Sequence, residues 1–178
     1  MTVSSFEGKT PVLGEGSWVH PGAEVIGDVT IGARCWIGPG ASIRGDYGTI
    51  VIGDHCAVED NVVVHARPGE KCTVGSWVTL GHGCVVHGVV ALGDYAVVGM
   101  NAVVSDYAQI GEWGMVAEGA VVPQGAVVPA GRVAAGVPAR LLEREVDEEY
   151  REVWRGFKQT YVGLCDRYRE GYAPVDEG

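Results

Sequence analysis

Residues 74–104 read VGSWVTLGHGCVVHGVVALGDYAVVGMNAVV. A branched aliphatic returns at every sixth position: Val74, Leu80, Val86, Leu92, Val98 and Val104. That period matches neither the 3.6-residue turn of a helix nor the alternation of an open sheet. It is the mark of a small unit stacked many times. Upstream the series holds Leu13, Val19, Val25, Ile31, Ile37 and Ile43, then Ile52, Val58 and Val64. Downstream it continues through Ile110, Val116, Val122 and Val128. Three extra residues separate Ile43 from Ile52 and four separate Val64 from Val74, read as small outward loops. Glycine often follows the aliphatic, as at Gly32, Gly38, Gly81 and Gly99. The slot four residues on is mostly small, as at Ala23, Cys35, Ala41, Cys56 and Cys84. Each hexad therefore predicts one short parallel strand and a corner, with the aliphatic inside. Three hexads make one coil of a triangular prism, and the nineteen aliphatics give slightly more than six coils.

Composition agrees. The 178 residues suit one domain. The 28 glycines, about twice average usage, would ruin a helical bundle. They do not recur at every third position, which excludes collagen. A net charge of -10 argues against a nucleic-acid partner, which needs a basic face. No apolar run approaches the ~18 residues of a membrane span, and Met1 to Pro11 shows no secretory signal. The five cysteines lack Cys-x-x-Cys spacing. Cys35, Cys56 and Cys84 occupy the inward slot, Cys72 falls in a loop and Cys165 on a helix. Reduced thiols and a cytoplasmic location are expected.

Three segments follow: 1–12 at the N-terminus, a coil domain at 13–140, and a helix with its tail at 141–178. Gly136-Val137-Pro138-Ala139-Arg140 reads as a closing turn. Tyr150, Trp154, Phe157, Tyr161, Leu164 and Tyr168 then recur at helical spacing. Asp147 is the expected N-cap, with Glu148 and Glu149 in the first turn. The stripe is expected to lie on the coil or on a neighbouring subunit, and the tail from Gly171 to be loose.

Chemistry enters where glycine is replaced just after the aliphatic. Hexads beginning at Ile43, Val64 and Val86 are three apart, so Arg44, His65 and His87 share one slot of one face in successive coils. Strands lie about 4.8 Å apart, so His65 and His87 reach one point. His82 falls on the preceding face, above Asp60 and beside Glu59. One rigid prism does not aim both faces at one point, but three copies around a threefold axis do. The spacing thus suggests a metal site shared between subunits, with His65 and His87 from one chain and His82 from the next. Three imidazoles suit Zn2+; Fe2+ or Co2+ would also fit. His20 and His55 lack such partners and read as structural or exposed.

The run Leu13–Val133 resembles the hexapeptide-repeat family, a mainly β, left-handed parallel β-helix. Its handedness comes from that resemblance. His65, the stretch His82-Gly83-Cys84-Val85-Val86-His87 and Arg44-Gly45-Asp46 resemble the γ-class carbonic anhydrase branch. Gly99-Met100-Asn101-Ala102-Val103-Val104 and the C-terminal helix are similar to the subgroup named after PaaY and CaiE. The resemblance implies a homotrimer, zinc or iron at His65, His82 and His87, and reversible hydration of CO2 to bicarbonate. It implies an Arg44–Asp46 ion pair near the interface, serving either as a trimer staple or in catalysis. It also implies that Glu59 contacts the metal's water and that Asp60 is a polar interface position. Tyr161 matches an active-site tyrosine or simply packs the helix. Three departures bear on rate: Glu59 stands where Gln is usual, Tyr47 where some members carry Glu, and a long acidic loop is replaced by Arg67-Pro68-Gly69-Glu70-Lys71-Cys72, where Glu70 could substitute.

The expected function is a metal-dependent carbonic anhydrase acting on CO2 and bicarbonate. The alternatives are a CoA thioester hydrolase using the same activated water, an acyl-CoA-dependent acyltransferase, and a non-catalytic trimeric scaffold.

Overall fold

The computed structural model describes residues 2–175; positions 1 and 176–178 of the terminal segments lie outside the described residues. The hexads wind into a parallel β-solenoid of about seven turns, a left-handed β-helix, followed by one helix. On the first face Leu13, Ile31, Ile52, Val74, Leu92, Ile110 and Val128 lie in direct register. On the second, Val19, Ile37, Val58, Leu80, Val98, Val116 and Ala134 do the same. The third stacks Val25, Ile43, Val64, Val86, Val104 and Val122. Apart from Leu13 in the first coil, which is exposed, these aliphatics are almost wholly buried and form one continuous core. Two units fall outside the nineteen hexads. Thr2–Ser4 pairs with the start of Glu24–Ile31, and Ala134 extends the second face. They bring the expected six-odd coils to about seven.

One expected loop is a strand. Ser42–Ile52 runs unbroken for 11 residues, paired in parallel with Glu24–Ile31 and then with Lys71–Val74. The extra residues after Ile43 are taken up by a register shift between Gly27 and Val29. The insertion after His65 does turn outward, with Glu70 N–H donating to Arg67 O. Cys72, expected in that loop, is buried in the strand that follows it.

The corners explain the glycine content and the aromatics. Coils approach so closely that a Cβ on Gly14 would stand 2.3 Å from the Gly32 carbonyl carbon. At one corner His55, Trp77, Tyr95 and Trp113 all adopt positive φ, which side chains resist by about 1–2 kcal/mol each. Stacking offsets this. Successive ring centroids lie 4.4, 6.0 and 4.6 Å apart with nearly parallel planes, in a column along the prism edge. His55 is therefore structural. So is His20, which accepts from Gly22 N–H and packs 5.0 Å from Tyr172. Tyr172, just past the helix, packs on Trp18 and His20, while Val175 beyond it is exposed.

Beyond the cis Val137–Pro138 bond, Arg140–Glu145 is an antiparallel strand on the second face rather than part of the helical segment. The helix spans Glu148–Gly171, and Asp147 caps it by accepting from Tyr150 N–H at 2.8 Å. It packs on the second face of its own coil through Tyr161 on Trp36, Tyr168 on Trp18 and an Arg34–Asp166 ion pair. The buried stripe is rotated from the expected one. Its buried members are Lys158, Val162 and Cys165, whereas Phe157 is exposed. Among the described residues no helix is long and apolar enough to cross a membrane.

Candidate functional site

On the third face Arg44 pairs in register with His65, and His65 with His87. The two imidazole centroids lie 5.3 Å apart. Each ring is held by a carboxylate 19 residues away in sequence. His65 Nε2 donates to Asp46 Oδ1 at 2.9 Å, while Arg44 pairs with Asp46 Oδ2. His87 Nδ1 donates to Asp106 Oδ1 at 2.6 Å, while Arg67 donates to Asp106 Oδ2 at 2.7 Å. Burial acts to raise both carboxylates, but their His and Arg partners outweigh it and hold Asp46 and Asp106 below the usual range. Tyr47 lies 5.2 Å from the His65 ring and beneath the Arg44 guanidinium. Sequence reasoning missed Asp106 and Arg67. Asp106 sits at an ordinary corner position and Arg67 in the outward insertion, and the one available signal was the spacing of Asp106, one coil plus one residue from His87.

The second face carries the other expected residues. Glu59 is buried, and its Oε2 lies 3.1 Å from both the backbone N and the Nε2 of His82. Asp60 lies 3.4 Å from His82 Nδ1. Tyr161, on the helix, lines the same pocket as Glu59 and acts on its carboxyl. Burial pushes the Glu59 carboxyl up against the opposing pull of His82 and Tyr161. Burial likewise pushes the Tyr161 phenol up, and Glu59 adds to that. From this cluster a groove of about 630 Å³ runs along the second face. Its walls include Met100, Met115, Trp154 and Phe157, and Arg144 and Glu118 also line it.

The expected residues therefore form two clusters on two faces. Arg44, Asp46, His65 and His87 stand together; Glu59, Asp60, His82 and Tyr161 stand together. Among the described residues no single-chain group of three or more His, Cys, Asp or Glu is placed to hold a metal ion. The donor types still fit a divalent cation, because two imidazoles on adjacent coils are half of a tetrahedral set. Among the described residues of one chain no third ligand joins them. Cysteine does not supply it: Cys84 is wholly buried, and burial pushes its thiol up to about 12. All five cysteines are free and buried.

Comparison with known proteins agrees with this architecture. The bacterial transferase hexapeptide (six repeats) family profile matches residues 10–45. The carnitine operon protein CaiE of Escherichia coli O157:H7 is 37% identical over 169 residues, spanning 93% of this chain and 85% of CaiE. A hexapeptide transferase family protein from Anaplasma phagocytophilum superposes with a TM-score of 0.88 at 33% identity, covering 94% of this chain and 98% of that one. A putative acetyltransferase from Bacillus cereus gives a TM-score of 0.90 at 28% identity, covering 94% and 96%. With its hexads, its terminal helix and a likeness to CaiE over nearly the full length, the chain belongs to the hexapeptide-repeat family as a CaiE-like member.

Proposed function

We propose that the protein is a metal-dependent carbonic anhydrase that hydrates CO2 reversibly at the seams of a homotrimer. The observation that carries this reading is the stacked pair His65 and His87, 5.3 Å apart and each anchored by a carboxylate. With His82 of a neighbouring copy they would complete a three-imidazole set, closed by threefold symmetry. Trimers are typical of hexapeptide-repeat β-helix proteins, which supports the arrangement. Zinc suits such a set, and ferrous iron or cobalt also does. When bound, the cation supplies a water activated for attack near neutral pH.

The chain's own groups do the remaining work. Glu59 accompanies His82 to the seam, held by the His82 backbone N–H, with Tyr161 beside it. Its raised carboxyl pKa suits a group that takes and returns a proton at Oε2. Asp60 and Glu59 flank the His82 ring and fix its direction. Arg44 locks Asp46, which steadies His65. Arg44 and Asp46 thereby serve the interface and the site together.

One observation favours a second reading, CoA thioester hydrolysis: the groove that begins at Glu59 and His82 offers room for an acyl group. The transferase names of two structural relatives favour an acyltransferase, and a non-catalytic scaffold is the bland reading. Metal content sets the acyltransferase apart, and stopped-flow CO2 hydration, run on metal-loaded protein beside a panel of acyl-CoA thioesters, separates the other three. Rapid hydration with inert thioesters supports the proposal. Thioester turnover without hydration overturns it in favour of the second reading, and silence in both assays overturns it in favour of the scaffold.

A further inference from the structure

We propose that Asp106, fixed by Arg67, is a positioning residue that sets the tautomer and direction of His87. The assignment rests on the metal reading above and extends it to two residues given no role there. Asp106 uses each oxygen once, toward His87 Nδ1 at 2.6 Å and toward Arg67 at 2.7 Å. A carboxylate held at both ends cannot turn away from the imidazole. Because the carboxylate only accepts, His87 carries a proton on Nδ1, and in the neutral ring this leaves the lone pair on the distal Nε2.

The surroundings are shaped around this pair. Gly88 has a φ of +57°, and a Cβ there would stand 2.3 Å from Asp106 Oδ1 and 2.7 Å from Arg67 Cγ. The Arg67 guanidinium also lies over the Tyr107 ring at 5.5 Å. The arrangement repeats Arg44–Asp46–His65 on the neighbouring coil, with one difference. Asp46 engages the distal nitrogen of its histidine, whereas Asp106 engages the proximal one. Asp106 therefore keeps its grip whether or not His87 Nε2 meets a cation, which is what an anchoring carboxylate behind a ligand histidine must do.

The test compares wild type with Asp106→Ala, Asp106→Asn and Arg67→Met. Zn2+ affinity is measured against a competing chelator, and long-range 1H–15N spectra read the His87 tautomer in metal-free protein. Wild type should show the Nδ1–H form. Asp106→Ala should lose that preference and bind Zn2+ about 10- to 100-fold more weakly, with unchanged circular dichroism and oligomeric state. Asp106→Asn, which still offers an acceptor, should restore part of both. Arg67→Met should fall nearer to wild type. If wild type binds Zn2+ and Asp106→Ala binds it equally tightly with the same tautomer, the role of Asp106 is overturned. If wild type binds no Zn2+, the metal reading itself is overturned, and with it the purpose assigned to Asp106.

Discussion

The ammonium nitrogen of Lys158 meets the hydroxyl of Thr79 at 3.0 Å beneath the C-terminal helix, where the lysine is 2% exposed. A second acceptor, Ala96 O, lies at 3.4 Å, and the Trp154 ring covers the amine at 5.6 Å. The titratable groups acting on it, Cys56 and Glu59, favour its charge, but burial outweighs them and lowers its pKa to about 7. The unfolded chain keeps the proton up to its ordinary value, so folding releases it between about pH 7 and 10.5. Stability should therefore rise with pH across that window. Lys158→Met should flatten this dependence and raise stability at neutral pH by about 1–3 kcal/mol, read by denaturant melts at several pH values.

Glu59 shows the opposite linkage. Its folded pKa is raised, so the folded chain holds the proton more tightly, and stability falls as pH rises through the region just above the usual carboxylate range. Glu59→Gln keeps an acceptor for the His82 N–H and removes the buried charge. It should leave the fold equally or slightly more stable at pH 7. If Glu59 handles the proton, turnover should fall about 10²-fold or more and the acid limb of the pH–rate profile should vanish.

A seam-shared site has a genetic signature. His65→Ala and His82→Ala should each abolish activity while leaving the coil intact. Trimers reassembled from an equal mixture of the two should regain activity at about a quarter of their seams, because one arrangement in four joins the intact halves. No recovery in verified mixed trimers would place all the ligands within one chain.

Trp113 closes the aromatic column and lies beneath both Arg151 and Arg155 at 5.5 and 5.4 Å. Trp113→Ala should cost about 3–5 kcal/mol in chemical unfolding. It should also loosen the helix, seen as earlier cleavage near residue 150 by limited proteolysis.

Much of this molecule was legible in its sequence because a hexad carries its own address. Counting in threes places His65 on His87 and Asp60 under His82, and the strand registers agree. What hexad counting missed has physical causes. Gly45 and Gly48 flank what looks like a loop, yet they let the strand pass a corner next to the neighbouring coil. The burial of Lys158 is set by the helix's rotation rather than by local pattern, so counting gives no sign of it. The pairing of Asp106 leaves no local mark, since its partner His87 lies a full coil away. Hexad counting puts His82 on a different face from His65 and His87, but how copies would meet belongs to assembly and not to one chain's pattern.

The central claim is a cation held by His65 and His87 of one protomer and His82 of the next. Metal content per chain, measured on protein purified without oxygen or chelators, addresses it most directly. The account predicts about one divalent ion per chain, since three chains form three seams, with loss of the ion in His82→Ala. A trimer that takes up no ion even after reconstitution with zinc, iron or cobalt would contradict it.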